Sequence, residues 1–310
     1  SEGVKFTKVW ASPICSPTRA GLMTGRYAFR NGVGAVVTGA ASAQLDTAEF
    51  GIGKMLKFHA PTKYNTGIVG KWHLHNNVRP KRDFPSYMGF DYYSGNFNGG
   101  ITDYYAYDIV VNGTVDSTKE YATTKTISDA ISWLDTANSS NPFFLWVAFN
   151  APHTPFHLPP DSLCNTAGLT GTTNHINNNE SLYFKAAIEA MDTEIGRLLV
   201  YLKSKNLYSN TNIIFIGDNG SPGQVAQISD RTKAKGSIYN SGVHVPMIVS
   251  GPNVVSPNRT SSSLINTLDI FATVLEMSSF PDWKSSIPSS NMIDSRSFLS
   301  ELKNNTGNKR

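Results

Sequence analysis

The feature that most constrains the fold is an alternation of short apolar runs with stretches whose apolar residues recur every three or four positions. This alternation is typical of strand-helix-strand units, and it predicts an α/β fold with a mostly parallel central sheet covered by helices on both faces. The later apolar runs suit buried parallel strands. Strands are expected at residues 4–6, 66–69, 143–149, 212–216 and 245–249, and helices at residues 50–58, 124–134, 182–202 and 264–277.

Length and charge narrow the function classes. The 310 residues could form one large α/β domain or two ordinary ones. No apolar run approaches the roughly 20 residues of a membrane span, so none is expected. The net charge is +4 and the Lys and Arg residues are scattered, which makes no case for a nucleic acid partner. An anionic small molecule or glycan suits this composition.

Polar residues that follow the apolar runs are the candidates for chemistry, because ligands of open α/β sheets gather beyond the carboxyl ends of the strands. Such residues follow the predicted strands at residues 4–6, 66–69, 143–149 and 212–216. In chain order they are Cys15, Arg19, Lys71, His73, His153, Asp218 and Asn219.

Cys15 stands at a predicted helix start. Pro17 fits the first turn of a helix, and the run after it continues without a breaker, so Cys15 should lie at a positive helix end that favours anions. Arg19 follows about one helical turn later and could reach back toward a bound anion. The second cysteine, Cys164, lies in a polar stretch and is expected to be inert.

Asp218 and Asn219 offer two hard oxygen ligands directly after an apolar run. Such a pair suits Ca²⁺ or, as a weaker candidate, Mg²⁺, although an Asp-Asn-Gly turn without metal is a common alternative. The tyrosine-rich residues 90–105 fit either a stacking surface for sugar rings or a packed loop. His75 and His157 are open candidates for lining a substrate pocket.

Five motifs in order resemble the type I sulfatase family of the alkaline phosphatase-like superfamily. The first is the Cys-x-Pro-x-Arg motif with the Ala-Gly-Leu-Met-Thr-Gly-Arg run after it, at residues 15–26. The others are Gly-Lys-Trp-His, Pro-His-x-Pro, Asp-Asn-Gly and Lys-Gly-Ser-x-Tyr, at residues 70–73, 152–155, 218–220 and 235–239. The resemblance extends over nearly the whole chain.

The resemblance implies that a maturation enzyme oxidises Cys15 to Cα-formylglycine. Its hydrate attacks sulfur with one hydroxyl, and the other hydroxyl then expels sulfate, a second step that plain Ser or Cys cannot take. By the same resemblance, Lys71 and Lys235 clamp sulfate oxygens and His73 serves as base. His153 is implied to protonate the leaving oxygen.

The resemblance also implies a calcium site. Asp218 and Asn219 would ligate Ca²⁺ together with the modified residue 15, and Asp218 would help to activate the hydrate. Family members carry an Asp-Asp pair some thirty to forty residues ahead of the cysteine, whereas this chain has fourteen residues there. We therefore expect half of the metal site, and a chain that is a piece of a longer protein.

Three further expectations concern organisation and location. Residues 1–280 are expected to form the catalytic α/β domain without its first strand, and residues 281–310 to begin a C-terminal region whose larger part is missing. The family tends to have a Glu after Tyr239, where this chain has Asn240. By resemblance the protein is secreted, periplasmic or lysosomal.

The leading hypothesis is a sulfuric ester hydrolase that acts on a sulfated carbohydrate or a small sulfate ester. One alternative keeps the superfamily and changes the substrate to a phosphate or phosphonate monoester, because the same cations suit those anions. The other is a sulfated-glycan-binding homologue without catalysis, in which Cys15 stays a thiol.

Overall fold

The computed structural model describes residues 2–39, 41–76, 82–137 and 140–304, and it confirms the α/β class. Its strands are β1 Gly3–Trp10, β2 Asn65–Lys71, β3 Tyr92–Asn96, β4 Tyr107–Val111, β5 Thr114–Thr118, β6 Phe143–Ala148, β7 Ile213–Ile216, β8 Met247–Ser250 and β9 Arg259–Asn266. Its α-helices are α1 Cys15–Thr24, α2 Ala28–Asn31, α3 Ile52–Lys54, α4 Phe84–Tyr87, α5 Ala122–Thr136, α6 Thr173–Asn178, α7 Glu180–Ser204, α8 Asn240–Val243, α9 Asp269–Met277 and α10 Leu299–Asn304.

The strands form two sheets, in the orders β7-β8-β1-β9 and β5-β4-β3-β2-β6. The pairs β1/β9, β2/β3 and β2/β6 are parallel, whereas β1/β8, β3/β4, β4/β5 and β7/β8 are antiparallel. The expectation that the later apolar runs occupy parallel positions holds for β6, which is parallel to β2. It is wrong for β7 and β8, because β8 is antiparallel to both of its neighbours, β7 and β1. The connection over residues 217–246 contains only short helices, and without a long crossover helix the chain returns in the opposite direction.

Helix α1 is the element that holds the site, and nearly all of it is buried. Ala20 and Met23 pack in a core cluster with Ile68 of β2, and Leu22 packs against the core of the first sheet on the other side. The helix ends at Gly25, whose φ of +67° is a left-handed conformation that glycine adopts without strain. Packing on both sides fixes the position of Cys15 at the helix start.

Residues 298–302, near the end of the described chain, pack onto the first sheet. Phe298 meets Phe6 of β1 edge to face, with ring centroids 5.5 Å apart. Leu299 and Leu302 of α10 join the same buried cluster. The domain boundary at residue 280 stays a prediction.

The helix expected at 264–277 begins later than the sequence pattern indicates. Leu264 and Ile265 belong to β9, where they pair with Lys8 and Val9 of β1. The helix α9 begins at Asp269, whose carboxylate accepts the Asn266 N–H at 2.9 Å. Two neighbouring apolar residues fit the end of a strand as well as the start of a helix, so the pattern alone does not separate them.

Two other expected helices also differ in detail. The one expected at 50–58 is the short α3 followed by a π-helix at Met55–His59. In the long helix α7, Ala186, Ala187 and Ala190 are buried as expected, but Leu182 is 50% exposed. Across the described part of the chain, no helix combines the length and the apolar character that crossing a membrane requires.

Candidate active site

Cys15 is the first residue of α1, as predicted, and only 4% of its surface is exposed. The residue before it, Ile14, caps the helix in an extended conformation without a side-chain hydrogen bond. Pro17 lies within the first turn, where the missing N–H costs no intrahelical bond. The backbone N–H groups of this turn therefore face the site without a side-chain acceptor from the cap, which favours an anion there.

The ring of His73 bridges Cys15 and the opposite wall of the site. Its Nδ1 lies 3.2 Å from Sγ of Cys15, and its Nε2 lies 3.0 Å from the Val37 carbonyl oxygen. Because a carbonyl only accepts, Nε2 carries the proton and Nδ1 turns its lone pair to Cys15. Burial, reinforced by the cations Lys71 and Arg19, lowers the pKa of His73 to about 3. The imidazole is therefore a neutral acceptor beside residue 15.

Arg19 ties α1 to the end of β2. Its Nε donates to the Trp72 carbonyl at 2.9 Å and its Nη2 donates to the Lys71 carbonyl. The guanidinium carbon lies 4.7 Å from the ring centroid of Trp146, and burial lowers the pKa of Arg19. The sequence predicted that Arg19 holds a bound anion. The structure shows that Arg19 also fixes α1 against the end of β2 through these two hydrogen bonds.

Lys71, His153 and Lys235 come from three segments and act on one another electrostatically. Burial lowers the pKa of Lys71, which is 4% exposed, while Cys15 and Asp218 oppose that change. Burial also lowers the pKa of His153, and Lys235 and Lys71 lower it further. The structure therefore brings these predicted residues into one electrostatic group around Cys15.

Two backbone hydrogen bonds hold the segment of Lys235 in place. The Lys235 N–H donates to the Ser221 carbonyl at 3.0 Å, and the Gly236 N–H donates to the Pro13 carbonyl at 2.9 Å. The first bond joins Lys235 to the loop that contains Asp218. The second joins it to the residues that lead into Cys15.

His153 is oriented by its own loop. Its N–H donates to the Asn150 carbonyl at 2.9 Å, and its Nδ1 lies 2.9 Å from the Thr154 carbonyl oxygen. A neutral imidazole with Nδ1 protonated carries its lone pair on Nε2. Proton exchange with a ligand would therefore occur at Nε2.

The Asp218 and Asn219 pair fits a hard cation in part. Asn219 donates its Nδ2 to the Gly220 carbonyl at 2.9 Å, whereas its Oδ1 is buried and has no hydrogen-bond partner within the described residues. A buried amide oxygen without a donor is a ligand suited to Ca²⁺, which takes six to eight oxygens. Among residues 2–39, 41–76, 82–137 and 140–304, no group of three or more His, Cys, Asp or Glu could hold a metal. The chain thus offers two oxygen ligands. The role of residue 15 as a third ligand stays a prediction.

His75 is a packing residue and does not line a pocket. It is 1% exposed, and its ring is stacked between Trp72 and Phe84, with centroid distances of 5.7 and 3.9 Å. Its Nδ1 accepts the Trp72 Nε1–H at 2.8 Å. Burial lowers the pKa of His75 to about 3, so the ring is neutral.

Sequence reasoning missed Gly99 and Gly100, which lie against the two site histidines. A Cβ at Gly99 would lie 2.4 Å from Cε1 of His73, and one at Gly100 would lie 3.2 Å from Nδ1 of His153. The absence of a side chain lets this loop close over both rings. The signal available in the sequence was the pair of neighbouring glycines shortly after the end of β3 at Asn96.

Comparison with known proteins gives a consistent result. The family model described as Sulfatase matches residues 1–279. The chain is 29% identical to the uncharacterized sulfatase YdeN of Escherichia coli (strain K12), over 96% of this chain and 54% of that protein. It is 25% identical to the N-acetylgalactosamine-6-sulfatase of Mus musculus, over 96% of this chain and 59% of that protein.

Solved structures agree with the fold. The structure of Ps i-CgsB superposes with a TM-score of 0.84 at 27% identity, and it covers 99% of this chain and 69% of that one. Ps i-CgsB in complex with k-i-k-neocarrahexaose gives 0.83 at 26% identity, with the same coverage. The chain spans little more than half the length of the two curated relatives, 54% and 59%.

Proposed function

Because the chain belongs to the sulfatase family, we propose that the protein hydrolyses sulfate esters with a nucleophile made from Cys15. The observation that carries the proposal is the contact between Cys15 Sγ and the unprotonated Nδ1 of His73 at 3.2 Å, at the start of a buried helix. Buried cations surround this contact. Oxidised to an aldehyde and hydrated, residue 15 would supply a nucleophile that can also release the sulfate it has taken.

Binding of the sulfate group falls to Lys71 and Lys235. An anion bound between these two lysines would offset the repulsion between their charges. It would also oppose the lowering of the Lys71 pKa that burial causes. Arg19 already donates Nε and Nη2 to backbone carbonyls, so it would meet an anion through Nη1. Fixed cations of this kind stabilise the charge that develops on the sulfate oxygens.

Proton transfer at the nucleophile falls to His73. Its Nε2–H is committed to the Val37 carbonyl, so Nδ1 is the atom that accepts a proton from residue 15. The ring is neutral because burial and nearby cations lower its pKa to about 3. A bound anion would reduce the effect of those cations and raise the basicity of Nδ1 during the reaction.

Proton transfer to the leaving oxygen falls to Nε2 of His153. Burial and the two lysines lower its pKa, so the ring must gain a proton before it can donate one. A sulfate ester on Lys71 and Lys235 would cancel part of their field and favour that protonation. Substrate binding itself would thus prepare the acid.

A calcium ion would be held in part by Asp218 and Asn219, whose side-chain oxygens have the required chemistry. When bound, such an ion supplies positive charge that stabilises oxyanions near residue 15. We further propose a sulfated carbohydrate as substrate and a maturation enzyme as a transient partner. Names of relatives support the substrate class, since one is an N-acetylgalactosamine-6-sulfatase. A secreted, periplasmic or lysosomal location belongs to the same proposal.

The test is paired cysteine replacement. The protein would be expressed from its complete reading frame with the maturation enzyme, and sulfate release from 4-nitrophenyl sulfate would be measured for wild type, Cys15→Ala and Cys164→Ala. Mass spectrometry of the Cys15 peptide should show conversion of the thiol to the aldehyde. Cys15→Ala should abolish turnover, and Cys164→Ala should retain it because Cys164 lies in a half-buried loop.

Two outcomes would contradict the proposal. An unmodified Cys15 together with unchanged glycan affinity in Cys15→Ala would favour a binding protein without catalysis. Faster turnover of 4-nitrophenyl phosphate than of the matched sulfate would move the assignment to phosphate monoesters, which the same cations could bind.

A further inference from the structure

We propose that Tyr104 is a positioning residue for His153, an inference that rests on the sulfatase function proposed above. The segment that carries His153, residues 151–160, contains neither helix nor strand. The position of the imidazole therefore depends on its contact with Thr154 in the same loop and on contacts from outside the segment. Tyr104 supplies one of them, because its hydroxyl donates to the His153 carbonyl oxygen at 2.8 Å.

Tyr104 is well suited to hold this carbonyl. Its side chain is 1% exposed, and its own carbonyl accepts the Ala122 N–H at 2.8 Å, which fixes its backbone at the start of α5. The hydroxyl thus projects from a buried residue whose carbonyl is hydrogen-bonded to the start of a regular helix. A hydrogen bond in such surroundings restrains its acceptor more firmly than an exposed one.

His157 completes the support. Its ring lies on Tyr104 with centroids 3.8 Å apart. Its Nδ1 lies 3.0 Å from the Pro155 carbonyl oxygen, and its Nε2 lies 2.9 Å from the Tyr121 hydroxyl. Since the carbonyl only accepts, Nδ1 is the donor and Nε2 accepts from Tyr121. One neutral tautomer satisfies both contacts, and burial favours it by lowering the pKa of His157.

These contacts act on the backbone of His153, whereas Nε2 is the atom assigned to the chemistry. The Tyr104 hydroxyl reaches the His153 carbonyl, and Asn150 accepts the His153 N–H. Both main-chain groups of His153 are therefore held, and the side chain inherits their orientation. Loss of the hydroxyl would release one of the two restraints and allow Nε2 to move from the leaving oxygen.

The tyrosine-rich residues 90–105 therefore include at least one packed, buried member, in line with the packed-loop interpretation for Tyr104. Tyr105 provides a matched control. Its hydroxyl donates to the Leu158 carbonyl at 2.7 Å in the same segment, but the residue is 39% exposed and the bond lies farther along the chain from His153.

The experiment compares Tyr104→Phe with Tyr105→Phe on two aryl sulfates. Phenyl sulfate has a poor leaving group that needs a proton, whereas 4-nitrophenyl sulfate releases a stable anion. General acids contribute about 10²–10⁴-fold when a proton is needed, so Tyr104→Phe should lower kcat for phenyl sulfate by roughly 10-fold to 100-fold. For 4-nitrophenyl sulfate the loss should stay below about threefold. Tyr105→Phe should resemble wild type on both.

A double-mutant cycle adds a stricter requirement. In a His153→Ala background the acid is absent, so Tyr104→Phe should cause no additional loss. Equal losses on both substrates, a further loss in the His153→Ala background, or no loss at all would overturn the positioning role. Thermal unfolding of both tyrosine variants would separate a folding defect from an effect on the acid.

A readout that needs no turnover separates this inference from the proposed function. The ¹⁵N resonances of the His153 ring, assigned by their loss in His153→Ala, should shift in Tyr104→Phe and remain in place in Tyr105→Phe. A wild-type protein that releases no sulfate would refute the sulfatase proposal, while these resonances would still decide whether Tyr104 positions His153. Unchanged resonances in Tyr104→Phe would refute the positioning role.

Discussion

Replacing Gly99 with Ala should disable the site by displacing His73. A Cβ at Gly99 would lie 2.4 Å from Cε1 and 2.7 Å from Nε2 of the His73 ring. Cε1 lies between the two ring nitrogens, one of which contacts Cys15 and the other Val37. A methyl group at this point pushes the ring edge that makes both contacts.

The size of the effect follows from the distance. Two carbon atoms pack best at about 3.5–4.0 Å, so the ring or the loop must move by about 1 Å. A 1 Å misplacement of a reacting group can cost about 10²-fold in rate, and we expect a loss of that order in kcat. Overpacking should also destabilise the fold by about 1–3 kcal/mol. A gain of about 0.4–1 kcal/mol from reduced unfolded-state entropy offsets part of this.

Gly100→Ala is the matched control, because it makes the same chemical change one residue later. Its Cβ would lie 3.2 Å from Nδ1 of His153, a gap that shifts of a few tenths of an ångström could relieve. Turnover of 4-nitrophenyl sulfate and urea unfolding would be measured for both variants. If Gly99→Ala retained kcat within a factor of two of Gly100→Ala, contact with His73 would not limit the site and the reasoning would be wrong.

Two further predictions concern metal and pH. Ca²⁺ should raise the thermal unfolding midpoint because it binds the folded state. At 100 times Kd this binding adds about 2.7 kcal/mol to the free energy of unfolding. Asp218→Ala should remove this effect. The control Asp230→Ala, which removes an exposed carboxylate paired with Lys233, should retain it. An equal response to Ca²⁺ in both variants would exclude Asp218 as a ligand. Burial lowers the pKa of His75 from 6.5 to about 3, so the unfolded chain binds a proton that the folded chain lacks and stability should fall as pH drops through that window. In urea titrations at several pH values, His75→Gln should flatten this fall. A pH dependence in His75→Gln parallel to that of the wild type would contradict the assignment.

Much of the candidate site was predictable because its residues stand where strands end. Cys15, Lys71, His153 and Asp218 are all polar residues after apolar runs, and the rule that ligands gather at those ends needs no knowledge of the three-dimensional structure. The helix start at Cys15 was equally readable, since Pro17 suits a first turn. The structure brings these residues together, and their catalytic roles stay proposals.

Strand direction and helix starts were harder to predict. An apolar run such as residues 245–249 suits a buried strand of either direction, and its antiparallel pairing is set by the connection before it. Leu264 and Ile265 belong to β9 because they pair with β1, which is distant in the sequence. A local pattern of apolar residues does not contain such long-range pairing.

The contacts that orient the histidines were beyond sequence reasoning for a similar reason. Gly99 meets His73 and Tyr104 meets His153 across 26 and 49 positions of the chain, respectively. Neither residue type carries an identifiable chemical role by itself. A glycine pair predicts a turn and a tyrosine predicts packing, and only the fold shows which ring or carbonyl each one reaches.

The electrostatics of the site explain why the pKa values of its histidines, His73 and His153, are lowered. Burial lowers the pKa of Arg19 and Lys71, and Asp218 opposes the change in both. Burial lowers the pKa of His73, and the same cations lower it further, because a neutral ring adds no positive charge to a buried cluster of cations. An anionic ester would reverse that balance by neutralising the lysines, so the histidines would gain proton affinity only when substrate is present. Under the proposed function, such a site would couple its acid and base chemistry to the charge of its ligand.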